Sequence, residues 1–157
     1  SKEIKEIYNK MMDCYLKLVI DKEKFEEIFG KKMGWCNSRL SILLLLYSLP
    51  VEQEISSYLY NELLEIFDSS GSWEYDDSYL CHGYAGMSIM MCAFNYTGKN
   101  RIFVREKLRE ELQNSKNLLG NLNQSPNIIE NYLGVILALI NDYSNKVDIL
   151  NKIMLTL

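Results

Sequence analysis

Three stretches of this chain, residues 37–48, 83–95 and 131–140, are apolar on every helical face. A helix of that kind must be enclosed by other structure. The stretches that follow them carry one apolar stripe only. In 51–67 it runs through Val51, Ile55, Leu59, Leu63 and Phe67, and in 100–114 through Val104, Leu108 and Leu112. A last striped segment holds Val147, Leu150, Met154 and Leu157. The starts of the apolar runs align without gaps. Cys36 falls with Cys81 and Ile129, Ser41 with Gly86 and Gly134, and Ile42 with Met87 and Val135, at offsets of 45 and 48 residues. A helix-pair repeat of this period stacks hairpins so that each buries its neighbour. The chain is therefore expected to be all-α, with apolar helices in an inner layer and striped helices outside. Small residues at the Ser41, Gly86 and Gly134 positions let inner helices approach closely. Such a stack either stays an open solenoid or closes into an α/α toroid.

The rest of the chain fits one all-helical domain over residues 1–157. Ile4, Ile7, Tyr8, Met11, Cys14, Tyr15 and Leu18 recur at helical spacing and predict an amphipathic helix over 2–19, with that stripe and Cys14 inward. A shorter helix is expected at 22–29 with Gly30 as its cap. Pro50 is expected to open the helix that follows the first apolar run. Residues 68–79 and 121–127 are rich in Gly, Ser, Asp and Asn and read as loops. A net charge of −4 offers no basic face for nucleic acid. The longest nearly apolar stretch, 40–49, is too short to span a bilayer, and the N-terminus lacks a signal-peptide core. A cytoplasmic location is the expectation. Four cysteines there are ligands, reactive thiols or core fillers more often than disulfides. Cys14 and Cys92, on apolar helical positions, read as core.

Cys36 and Cys81 differ from these two, because they head successive apolar runs. His82, the sole histidine, adjoins Cys81. Two thiolates and an imidazole suit Zn²⁺. No second C-x-x-C or H-x-x-x-H closes a tetrahedral cage, so three protein ligands leave a fourth position for water or substrate. Helix N-termini also favour thiolate over thiol. With two thiolates the centre is neutral, and a third, from a substrate, makes it −1. A site of that charge activates a thiol toward an electrophile more readily than it activates water. An open solenoid has no need of these residues at its inner helix starts. A closed ring has a pole where those starts converge.

Gly34-Trp35-Cys36-Asn37, Leu80-Cys81-His82-Gly83-Tyr84-Ala85-Gly86 and Ile129-Glu130-Asn131-Tyr132-Leu133-Gly134-Val135-Ile136-Leu137-Ala138-Leu139 resemble the successive inner-helix motifs of the lanthionine synthetase C-like cyclases, in that family's order and spacing. The resemblance implies an α/α toroid with Cys36, Cys81 and His82 as zinc ligands. It implies addition of a peptide cysteine thiol to dehydroalanine or dehydrobutyrine, closing thioether rings in a lantibiotic precursor peptide. It further implies a dehydratase partner and a peripheral membrane position through a biosynthetic complex. Lys32 stands near a basic residue that the family often has upstream of its WC motif. Ser38 and Ser41 replace glycines usual in the family, and Arg39-Leu40 replace residues usually small or proline. A family toroid has about twice as many helices, so the chain resembles the C-terminal, zinc-bearing portion and implies a partial ring. The family's catalytic histidine and aspartate belong to the other half. With His82 on the metal, no second histidine remains to protonate the enolate. The implied partners are that other half or a second copy of the chain.

Two other functions compete. One is a helical peptide-binding scaffold with a structural or vestigial zinc. The other is a different zinc-dependent thiol-alkylating enzyme, since α/α barrels also host prenyl transfer. An exchangeable fourth zinc ligand separates the enzymes from the scaffold.

Overall fold

A computed structural model describes residues 2–30, 34, 38–69, 79–81, 83–114 and 132–144. Among them are seven helices and no strand: α1 (Lys2–Ile20), α2 (Lys22–Phe29), α3 (Arg39–Ser48), α4 (Gln53–Asp68), α5 (Tyr84–Ala93), α6 (Lys99–Asn114) and α7 (Tyr132–Ser144). The expected loop at 121–127 and the expected last helix lie outside the described residues, as does most of the loop expected at 68–79. None of the described helices is long and apolar enough to cross a membrane.

Two of the three pairs that the repeat requires lie within the described residues, and both are present. α3 packs on α4, α5 packs on α6, and α4 meets α6 between them. α7 lies against both α5 and α6, while α1 packs on α2 and α3. Helix ends follow local chemistry. Asp21 caps α2 by accepting the Lys24 N–H at 3.1 Å. Gly30 closes that helix at φ 75°, where glycine carries no Cβ penalty, and its N–H reaches the Glu26 carbonyl at 2.8 Å. α5 ends in a Schellman turn. Asn95 takes φ 57°, its N–H bonds the Cys92 carbonyl at 3.0 Å, and the Tyr96 N–H bonds the Met91 carbonyl at 2.8 Å.

Pro50 does not open α4, which starts at Gln53 with Glu52 as its cap residue. The proline acts backwards instead. It favours extended backbone at Leu49, which sits at φ −91° and ψ 156° and ends α3.

The three apolar helices are not equally enclosed. α5 is buried continuously from Ala85 to Cys92. α7 buries Gly134, Val135, Ala138 and Leu139 but exposes Ile140, and it runs four residues past the expected end at 140. α3 buries Leu40, Leu43 and Leu46, yet Leu45 is 57% exposed, so full burial of this helix is not observed. No described helix covers its far side.

α1 departs further from expectation. Its inward face is Met12, Leu16 and Val19, with Leu18 beside them. The stripe expected inside faces out: Ile4 is 67% exposed and Ile7 59%, and Tyr8, Met11 and Tyr15 are exposed too. Cys14 is on this outer face and is not a core residue. The physical reason is that, among the described helices, α1 packs chiefly on α2 and α3, and they lie on the adjacent face.

Aromatic rings join the two hairpins. Phe94, just after α5, lies 5.5 Å from Tyr47 of α3, 5.2 Å from Tyr60 and 5.4 Å from Phe67 of α4, between ring centroids. Tyr96 continues the chain of rings at 5.2 Å from Phe67. Offset and edge contacts of this kind add to simple burial.

Candidate functional site

Of the three expected zinc ligands, Cys81 is among the described residues; Cys36 and His82 lie outside them, as does Lys32. Cys81 is reduced and half-buried, in the turn that enters α5. The helix begins after Gly83, which has no side chain to cap it, and the Gly86 N–H reaches the Tyr79 carbonyl at 3.5 Å across the turn. Leu80, beside the cysteine, is buried. The thiol therefore sits at the head of the most enclosed of the described helices.

The start of α3 is built differently. Ser38 is fully buried, and its hydroxyl accepts the Ser41 N–H at 3.1 Å while donating to the Gly34 carbonyl at 2.6 Å. One side chain thus caps the helix and ties down the chain four residues earlier. Cys36 belongs to the segment between these two points. A glycine here would supply neither side-chain bond.

Among the described residues, no group of three or more His, Cys, Asp or Glu could hold a metal ion. Compared with known proteins, the chain matches no family model, no curated protein and no solved structure. The likeness to lanthionine cyclases rests on its three motifs.

A polar cluster that the sequence patterns did not reveal lies at the other end of α5. Asp142 of α7, its side chain 1% exposed, accepts from Arg101 Nε at 2.6 Å and from Arg105 Nε, both on α6. Arg101 also donates to the Asp142 carbonyl at 3.3 Å, the Tyr96 carbonyl at 3.3 Å and Cys92 Sγ at 3.6 Å. Cys92 is buried as expected, but among charges as well as apolar neighbours. Burial alone would raise the Asp142 carboxyl; hydrogen bonds from Arg105 and Arg101 outweigh it and hold the group below the ordinary carboxylate value. Burial pushes the Cys92 thiol up. The visible signal was an acidic residue directly behind an apolar run, with two arginines a helical turn apart on the preceding helix.

A second cluster ties the first hairpin to α2. Arg39 donates to Glu62 at 2.5 Å and to the Val19 carbonyl at 3.0 Å, and Lys22 approaches Glu62 at 3.2 Å. Burial raises the Glu62 carboxyl, and the two cations together bring it below its usual value. Tyr96 donates to Asp68 at 2.5 Å, and burial with this bond pushes its hydroxyl up to about 12. Gly98 makes room for that ring: a Cβ there would fall 2.1 Å from the Tyr96 oxygen.

Proposed function

We propose that this chain is the zinc-bearing portion of a lanthionine cyclase-like α/α toroid. In this role it readies a peptide cysteine thiol for addition to dehydroalanine or dehydrobutyrine during lantibiotic biosynthesis. The supporting observation is the position of Cys81, a reduced thiol in the turn opening α5, the helix enclosed on all sides. By the repeat, Cys36 stands at the equivalent point before α3, where Ser38 ties Gly34 to the helix start. Cys36, Cys81 and His82 would hold the metal. Two sulfurs and one nitrogen are a donor set that suits zinc and leaves a position for an outside ligand. When bound, zinc supplies a charge that keeps an incoming thiol deprotonated near neutral pH.

The chain's own residues fix the frame around that chemistry. Ser38 anchors one ligand-bearing segment, and the close packing of α5 on α6 and α7 fixes the other. With His82 as a ligand, these 157 residues hold no other histidine to deliver a proton to the enolate. Zinc binding without efficient cyclisation is therefore expected of the chain alone. Cobalt substitution followed by thiol titration tests the open position. A growing sulfur-to-cobalt charge-transfer band is expected; a spectrum indifferent to thiol contradicts an open site.

A helical binding scaffold with a closed structural zinc is the second reading, and the outer face of α1 favours it. The exposed Ile4, Tyr8, Met11 and Tyr15 follow intervals of four and three, the seam of a two-helix coiled coil. Lys and Glu both flank that seam, so α1 of a second copy is a fitting occupant. Light scattering across a concentration range should then show dimer. A monomer at every concentration removes the self-association.

A further inference from the structure

α6 and α7 run antiparallel, Arg101 and Arg105 lying beside Asp142, and Leu112 sharing a groove with Ile136 and Leu139. Two hollows open along their junction. One, of about 440 Å³, is lined by Thr97, Gly98, Arg101, Arg105, Asp142 and Tyr143. The other, also about 440 Å³, is lined by Leu112, Ile136, Leu139, Ile140 and Tyr143. Tyr143 is common to both.

The charge in the first hollow does not balance. Among the described residues two guanidiniums face one carboxylate, leaving +1, and Glu106, whose charge also acts on Arg105, is paired with Arg109 at 2.7 Å. Arg101 is engaged by its several bonds. Arg105 is not: among the described residues its hydrogen bond is the one from Nε to Asp142, its two terminal nitrogens make none, and its side chain is 27% exposed. Its guanidinium lies 5.1 Å from the Tyr143 ring centre, and Arg109 lies 5.2 Å from the same ring. A planar fork, oriented at Nε by a buried carboxylate and stacked on an aromatic ring, suits two-point recognition of an oxyanion. The second hollow continues from the same ring with apolar walls.

We infer that the α6–α7 groove binds a small amphipathic anion, with an oxyanion head on the terminal nitrogens of Arg105 and an apolar chain along Leu112, Ile136 and Ile140. The residues that line it include neither Cys81 nor any other candidate zinc ligand, and zinc plays no part in it.

Isothermal calorimetry on the whole chain tests this with octanoate, octyl phosphate, octanol, acetate and inorganic phosphate. Octanoate or octyl phosphate should bind, and the tighter one identifies the head. Acetate should bind more weakly by roughly a thousandfold or more, since about fourfold is lost for each methylene removed, and inorganic phosphate at least tenfold more weakly than octyl phosphate. Octanol should be at least tenfold weaker than octanoate. Arg105→Gln should bring octanoate down to the level of octanol, and Arg105→Lys should recover part of the loss. Ile140→Ser, on an exposed wall and so safe for folding, should weaken octanoate several-fold. Absence of binding by both long anions at millimolar concentration overturns the proposal. So does octanol equal to octanoate, or octanoate binding unchanged in a folded Arg105→Gln chain.

Discussion

The helices α3 and α5 occupy equivalent places in the repeat but are finished in opposite ways. α3 begins with a buried serine that closes its own N-terminus, and its body leaves Leu45 in solvent. α5 begins at a glycine without a side-chain cap, directly after Cys81, and its body is enclosed on every side. Their charged neighbours differ as well. The Arg39–Glu62–Lys22 cluster sits toward the edge, with Lys22 half-exposed, whereas Asp142 is sealed between two arginines behind α5. The repeat thus places the same kind of helix at an edge and at a centre. What a helix-length apolar run becomes depends on how many neighbours reach it.

The largest difference should come from the ion clusters. Asp142→Ala leaves two guanidiniums facing a buried gap and should cost about 3–5 kcal/mol in denaturant unfolding. Glu62→Ala, whose carboxylate is 13% exposed against 1% for Asp142 and has one cation, Lys22, half in water, should cost less, about 1–3 kcal/mol. Equal losses would erase the distinction between centre and edge. Both carboxyls are depressed in the folded chain, so their contribution is full above the ordinary carboxylate range, near 4. It is lost as pH falls through the depressed values, because the unfolded chain then binds protons more readily. Asp142→Asn should flatten this acid limb more than Glu62→Gln does.

Core truncation comes next. Met87→Ala in α5 should destabilise by about 2–5 kcal/mol, against under about 0.5 kcal/mol for Leu45→Ala in α3. A Leu45→Ala chain as unstable as Met87→Ala would mean that α3 is covered in solution, as it would be within a larger assembly. The cap should contribute a smaller difference than the core. Ser38→Ala should cost about 1 kcal/mol in thermal or denaturant melts, and it releases Gly34 as well. No loss on that substitution would mean that the α3 start is held by something else.

The stripes of α4 and α6, the cap at Gly30 and the burial of α5 were legible because each follows from local spacing or from one residue's backbone preference. The direction that α1 faces was not. Periodicity locates an apolar face but says nothing about whether a partner stands opposite, and Met12, Leu16 and Val19 won the contact with the neighbouring helices. The continuation of α7 through Asn141-Asp142-Tyr143 was hidden for a related reason. Asp142 looks like the polar end of an apolar run until guanidiniums 41 and 37 residues earlier neutralise it. Cys92 was legible as buried, though its charged surroundings were not. At the candidate zinc site the motifs supplied the ligand set, and the described structure adds the position of Cys81 and the tie from Ser38 to Gly34.

Zinc content is the most direct test of the central proposal. Elemental analysis of the purified chain should find about one zinc per molecule. Cys36→Ala, Cys81→Ala and His82→Ala should each lose most of it, while Cys14→Ala, on the outer face of α1, and Cys92→Ala, in the arginine cluster, should retain it. A chain without zinc, or full retention in Cys81→Ala, would contradict a metal centre at the start of α5.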